Sequence, residues 1–426
     1  MSTKGYSRSV IFVRPFGSDS MPAFKIAFRN ALRQRRRTIL TLLTMLGGYA
    51  LASISIGWAD GTYNTIIDIF TRNRLGHVQI HAAGYLDKPS LYKKIADYRR
   101  IGKVLSGIPG VEAWAPRLKA AGLVSVGDNS SAASITGIDP GLENAATRFS
   151  HKIAAGKMLE DAGGGTVLAG KGLAKVLEAE IGDTLVIVSR AADGSIANDL
   201  YTIRGIVESG NSLEDRSSLY MHLDEAQELF ALYGSVHEIA VVAERSGTAR
   251  ALAAKIIDAL PPEKELAVAP WQEFARSFHT AMQADKQGMY IFLFVIMLIV
   301  AVGVLNTVLM AVLERRREYG LLKAVGTRPG RLFWLILIES VIIAIAAIIG
   351  GIGVGLMGNW LLSVYGIQLP QPISYGGMEI RSLHAEINFR TIYIPAVVVL
   401  ATAALVSIFP ALQAARVDPA HAMRTH

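Results

Sequence analysis

Residues 38–58 read TILTLLTMLGGYALASISIGW, an apolar run without a single charged side chain. A hydrocarbon core of about 30 Å takes roughly 20 apolar residues as a helix, so this run is long enough to cross a membrane. It also outlasts the apolar stretch of a signal peptide, about 7–15 residues, and residues 1–37 precede it, so it reads as an uncleaved anchor. Three further runs qualify: Met289 to Leu313, Leu332 to Leu362 and Ile392 to Leu412, none with a lysine or arginine in its interior. Across the 426 residues 51% are hydrophobic and 18% charged, against about 25% charged in soluble domains. The fold class that follows is a membrane α-helical protein with four transmembrane helices and a large inserted α+β extracytoplasmic domain.

Charge sets the expected orientation. Lys25, Arg29, Arg33, Arg35, Arg36 and Arg37 stand just before the first run, Arg315, Arg316, Arg317, Lys323, Arg328 and Arg331 between the second and third, and Arg416 and Arg424 in the tail. The segment between the third and fourth runs holds only Arg381 and Arg390. Basic loops stay on the cytoplasmic side, so both termini and residues 314–331 are expected inside, in a multi-pass protein of the bacterial inner membrane. The domains follow: 1–37 a cytoplasmic N-terminus, 38–58 the first span, 59–288 the outer domain, 289–313 the second span, and 314–331 a cytoplasmic helix and turn. Then come 332–362 the third span, 363–391 an outer loop, 392–412 the fourth span and 413–426 a cytoplasmic tail. The net charge of +8 is concentrated in these flanks, which makes it a topology signal rather than a nucleic-acid surface. Met21–Arg37, with Phe24, Ala27, Phe28, Ala31 and Leu32 near helical spacing and a basic opposite face, predicts an amphipathic helix on the anionic inner leaflet, a contact with membrane lipid.

The outer domain mixes strand-like alternation (76–85, 120–128, 183–190, 200–209) with helical periodicity (91–105, 172–177, 223–233, 248–260), and residues 271–288 are expected to form a helix leading into the second span. No catalytic constellation is visible. With no cysteine, a disulfide, a thiolate zinc site and a cysteine nucleophile are excluded. Gly165-Thr-Val-Leu-Ala-Gly170-Lys171-Gly172 resembles a phosphate-binding loop but ends in glycine where a magnesium-holding hydroxyl is required. His77 and His81, four apart in an expected strand, lack the helical placement of metal ligands, and Glu214-Asp215-Arg216 reads as a solvated turn. Neither a metal nor a bound cofactor is expected, and the chain is expected to be a non-catalytic subunit.

The most informative segment is ERRREYGLLKAVGTRPGRLF, residues 314–333. Tyr319, Leu322 and Val325 recur at helical spacing with the charges on the other face, which predicts a short amphipathic helix at the cytoplasmic membrane surface, wedged between two spans and able to act as a lever. This segment resembles the coupling-helix signature of FtsX-like, MacB-type ABC transporter permeases. PALQAARVDPAHAMR (410–424), KIAFRNALRQRRRTILTLL (25–43) and TVLAGKGLAKVLEAEIGDTLVIV (166–188) resemble that family's closing, opening and periplasmic core patterns. GHVQIHAAGYLDKPSL (76–91), VEAWAPRLKAAGLVS (111–125), ITGIDP (135–140) and IRGIVESGNSLEDRSSLYMHLDEAQEL (203–229) look most like the lipoprotein-release, LolC/LolE-type permeases.

The resemblance implies a mechanotransmitter. Two permeases, a homodimer or a pair of paralogues, would work with a cytoplasmic ABC ATPase dimer that binds ATP on separate chains and moves the periplasmic domains. Glu314, Arg315, Arg316, Arg317, Glu318, Gly320, Lys323 and Gly326 would belong to the ATPase-coupling helix, and Arg416, Asp418 and Pro419 to a second cytoplasmic contact. The cargo would be a lipoprotein passed to a periplasmic carrier; the alternatives are MacB-type export of small hydrophobic compounds or peptides, and FtsX-type signalling to a cell-wall hydrolase or a sensor. Within the spans, Gly351 and Gly355 form a pair suited to close helix packing, and Glu339 is expected to pair with a basic neighbour such as Arg331.

Overall fold

A computed structural model of the chain describes residues 35–261, 265–375 and 378–418. The expected amphipathic helix of residues 21–37 falls almost wholly outside them, as does Pro419. Contacts divide the described residues into two units, one of residues up to Ala59, Gly288–Val364 and from Ala385 onward, the other of Asp60–Gln287 and Tyr365–His384.

Four helices are long and apolar enough to cross a membrane. The first runs from Arg35 to Phe70, the second from Arg276 to Glu314, the third from Pro329 to Tyr365 and the fourth from Arg390 to Ala415. All outrun their apolar cores. After Trp58 the first continues because Tyr63, Ile66, Ile67 and Phe70 keep helical spacing and no proline interrupts them.

Within the first unit the first span touches the other three. A methyl on Gly351 would stand 2.7 Å from Tyr49 Cδ1, and one on Gly355 2.8 Å from Ser53 Oγ. One turn on, Asn359 Nδ2 donates to Ser53 O at 3.2 Å. The 351–355–359 edge of the third span thus lies directly on the 49–53 edge of the first, and only glycine permits that approach. Gly303 of the second span faces Thr44, and Tyr49 donates its hydroxyl to Ile392 O of the fourth at 2.9 Å.

The second unit is built on strands β1 Val78–Ala82, β2 Ile95–Ala96, β3 Val111–Val126, β4 Asn129–Ile138, β5 Ile153–Gly156, β6 Thr166–Gly170, β7 Thr184–Arg190, β8 Ile196–Val207, β9 Ser218–His222, β10 Ser235–Val236, β11 Glu238–Ala243 and β12 Leu266–Pro270. Pairing runs β3–β4–β9–β6–β8–β7 and back to β3, which closes a ring of strands. β3 is long enough to serve twice: Val111–Arg117 pairs with β11 in an open sheet continued by β1 and β12, and Arg117–Val126 pairs with β4 in the ring. The β3–β4 hairpin turns on Gly127-Asp128, with Gly127 at φ +55, the left-handed conformation such tight turns need.

Several expectations change here. The helix expected over 91–105 starts only at Tyr98, after β2 and Asp97 in a left-handed conformation. Residues 363–391, expected as a loop, contain a hairpin, β13 Ile367–Tyr375 with β14 Met378–Leu383, which belongs to the second unit. Its Leu369 and Leu383 pack on Ile66 and Phe70. Pro370 and Pro372 hide it from a strand pattern, because proline is confined to edges.

The phosphate-loop look-alike has a packing explanation. It folds as β6 followed by the helix Lys171–Leu177, and any side chain at Gly170 would strike Asp215 O, while one at Gly172 would stand 2.8 Å from Arg216 Cα. The glycines admit the turn at 212–216. That turn is not simply solvated: Asp215 is buried and accepts from Ser209 N–H, and Glu214 pairs with Arg74. His77 and His81 are both buried on β1. His77 Nδ1 accepts from Ala243 N–H at 3.0 Å, and burial lowers its pKa to about 4. His81 bonds His237 O and Gln79 Oε1.

Where β3 passes from open sheet to ring, Arg117 is buried between two carboxylates. Its Nε and Nη2 reach Glu143 at 2.8 and 2.7 Å, and Nη1 reaches Glu238 at 2.7 Å. Nη2 also donates to Arg74 O, and Thr147 donates to Glu143. Burial pushes the Glu238 carboxyl up, but Lys119 and Arg117 outweigh it and hold the group at about 2. A buried charge persists only when paired and hydrogen-bonded, and here every donor of the guanidinium fork named above has an acceptor.

Candidate coupling site

The second span ends at Glu314, the chain bends at Arg315, and a short helix runs from Arg316 to Ala324. Gly326, at φ +98, closes it. Its N–H bonds Lys323 O and that of Thr327 bonds Leu322 O, both at 3.0 Å, the paired pattern that satisfies the last carbonyls of a helix and requires a left-handed residue. Pro329 then opens the third span at a position where the missing N–H costs nothing.

The expected coupling residues divide into three groups. Glu314, Arg316, Arg317, Glu318 and Gly326 are exposed. Arg315, Tyr319 and Gly320 are buried, and burial pushes the Tyr319 hydroxyl up to about 12. Arg315 Nη1 lies 3.7 Å from Glu339 of the third span. Glu339 therefore pairs with Arg315 and not with Arg331, which is exposed and stands on Glu339's own helix. In place of a surface contact, Arg315 ties the end of the second span to the third. A void of about 40 Å³ beside the pair is lined by Thr41, Thr307, Tyr319 and Ser340.

Lys323 makes up the third group. Its Nζ donates to Ala415 O at 3.0 Å and Val417 O at 2.6 Å, so it caps the carbonyl end of the fourth span, where a cation opposes the negative pole of the helix. The expected contact at 314–326 and the described part, 416–418, of the one expected at Arg416, Asp418 and Pro419 are thereby joined: Arg416 and Asp418 are exposed beside buried Val417.

The apolar residues of the helix divide between two faces. Tyr319 packs inward, whereas Leu321, Leu322 and Val325 are exposed, Val325 by 79%. A step of three residues falls short of a full turn by about 60°, so Leu322 and then Val325 rotate away from the face that Tyr319 occupies. The result is an apolar patch bordered by Arg316, Arg317 and Glu318, a surface that can receive another protein. Sequence reasoning did not find the Arg315–Glu339 pair or the Lys323 cap. The basic spacing gave no cue to partners this far along the chain.

Four helices long and apolar enough to cross a membrane, an inserted mixed α+β unit and a short helix between the second and third spans define the class, a multi-span membrane protein with a large inserted domain. Residues 38–259 match the MacB-like periplasmic core domain, and residues 290–419 match the FtsX-like permease C-terminal family. The chain belongs to this family of ABC transporter permeases. Among its relatives, the lipoprotein-releasing system transmembrane protein LolC of Neisseria meningitidis serogroup B is 23% identical over 422 residues, 94% of this chain and 98% of that one. The macrolide export ATP-binding/permease protein MacB of Chromobacterium violaceum is 26% identical over 233 residues, 52% of this chain and 33% of that one. The crystal structure of the periplasmic region of MacB from Actinobacillus actinomycetemcomitans aligns with a TM-score of 0.36 at 14% identity, covering 48% of this chain and 94% of that one.

Proposed function

We propose that this chain is the membrane subunit of a mechanotransmitting ABC complex that releases lipoproteins from the inner membrane. The observation that carries the reading is the end-to-end likeness to LolC, over 94% of this chain and 98% of that protein, which spans the outer unit as well as the membrane helices. In this reading both termini face the cytoplasm, where the basic flanks lie. ATP is bound by an ATPase on separate chains that docks on the 316–325 patch and the 416–418 segment. A second permease, identical or paralogous, completes the complex. Movement of the coupling helix passes through Arg315 to the third span and through Lys323 to the fourth, and the second unit releases a lipid-anchored cargo to a periplasmic carrier.

The test is co-purification of the full chain from its own membranes, with ABC ATPase subunits sought among the proteins that come with it. Leu321→Asp/Val325→Asp should abolish the complex and leave lipoproteins in the inner membrane on fractionation. Retention of the ATPase by this variant sinks the docking surface. A deletion strain with normal lipoprotein sorting but raised sensitivity to hydrophobic drugs supports the second reading, MacB-type export, which the match of residues 38–259 to the MacB-like core favours.

A further inference from the structure

A cleft of about 300 Å³ opens in the second unit where three segments meet: the turn Thr71–Leu75, the turn Phe149–Lys152 with Arg148 before it, and the loop from Glu208 to Asn211. Arg74, Arg148, His151 and Lys152 line it, against one carboxylate, Glu208. Two of these charges are compensated within the protein. Glu208 is held by Lys171 Nζ at 3.0 Å, and Arg74 pairs with Glu214. Among the described residues no carboxylate stands within ion-pair distance of Arg148, His151 or Lys152.

Two details show that the cleft is built rather than incidental. Lys152 is half-buried, with Nζ 5.0 Å from the centre of the Phe149 ring. Burial lowers its pKa to about 8. Glu143 and Glu214 act on this cation at longer range, but neither forms an ion pair with it, so its donors stay open towards the cleft. Arg148 sits at φ +52, the left-handed region that costs any residue with a Cβ backbone energy. Arg148 takes this conformation as the C-terminal cap of the helix Pro140–Thr147, its N–H bonding Asn144 O at 2.9 Å, and the cap fixes where its side chain leaves the backbone.

We propose that this cleft binds a phosphate group, presented either as free phosphate or as the ester headgroup of a lipid. The space exceeds what one carboxylate fills, and Arg148, His151 and Lys152 present on one turn three basic groups that no carboxylate among the described residues reaches within ion-pair distance. A tetrahedral, multiply charged acceptor satisfies such a set, and a planar one of single charge leaves donors unmet.

The experiment is isothermal titration of the full-length protein in dodecylmaltoside with three probes at constant ionic strength: sodium phosphate, monomeric dihexanoyl phosphatidic acid and sodium glutamate. Lys152→Gln and Arg148→Gly should each weaken phosphate-ligand binding at least tenfold, and Lys152→Arg should retain it. Arg148→Gly removes the charge while relieving the left-handed backbone, so its melting temperature should hold or rise, and loss of binding cannot be assigned to unfolding. Binding of phosphatidic acid alone assigns the site to a lipid headgroup; binding of free phosphate as well assigns it to phosphate from either source. The proposal is overturned if the parent binds neither phosphate probe, if both neutral variants bind as the parent does, or if glutamate binds as tightly as phosphate.

Discussion

Arg117→Met isolates the buried charge cluster at the junction of open sheet and ring. The substitution keeps most of the apolar stem but leaves Glu143 and Glu238 facing each other, both under 10% exposed, without the guanidinium that reaches them at 2.7–2.8 Å. Removing one partner from a buried ion pair costs about 3–5 kcal/mol. At about 2–4 °C per kcal/mol for a unit of this size, the melting temperature of the full-length protein in detergent, followed by circular dichroism, should fall by about 6–20 °C at pH 7. The pH dependence makes the test specific. In the parent, Glu238 has a folded pKa of about 2, below its unfolded value, so its stabilisation, about 3 kcal/mol, is complete above pH 4.5 and is lost as pH falls from there towards 2. In the variant Lys119 still acts on Glu238, but Glu143 loses Arg117, the main charge that offsets its burial, so the Glu143 carboxyl rises above its unfolded value and acidification from pH 8 to 4.5 should stabilise the variant. The two curves should converge over that window. Replacing all three residues, as Arg117→Met/Glu143→Leu/Glu238→Leu, should cost less than Arg117→Met alone. Parallel pH curves, or a single variant that melts with the parent, would refute the reasoning.

Two further substitutions test the membrane unit. Gly351→Leu drives a side chain into Tyr49, which already stands 2.7 Å from the nearest position a methyl could take; overpacking costs about 1–3 kcal/mol, so the melting temperature in detergent should fall, while Gly353→Ala, with nothing within 4 Å, should leave it unchanged. Lys323→Met removes both donors to the end of the fourth span, a loss of about 1 kcal/mol for a half-exposed charged donor, and should speed amide exchange over residues 412–418 several-fold; unchanged exchange there would show that the lysine does not hold the tail.

The residues themselves show why some of this was legible and some was not. The short helix at Arg316–Ala324 could be read because its signals are local: charge, a helical repeat, and Gly326 at its end. Which of its apolar residues the protein covers was not legible, because three-residue steps drift round a helix and only packing shows that Tyr319 is buried while Leu322 and Val325 are exposed. β7 and β8 showed as alternation, whereas the hairpin at 367–383 was concealed by its prolines. The glycines at 170 and 172 imitated a nucleotide loop because close packing against the 212–216 turn demands the same absence of side chains that phosphate binding does.

Sequence alone determined that there are four spans, where the large unit is inserted, and where the short helix lies between the second and third. These depend on runs of neighbouring residues measured against the thickness of a bilayer. Only the tertiary structure decided how those parts are tied together. Arg117 meets Glu238 across 121 positions, Lys323 meets Val417 across 94, Asn359 meets Ser53 across 306, and Arg315 meets Glu339 on another helix. No periodicity encodes such pairs, because each exists only after distant segments have packed and water has left the space between them.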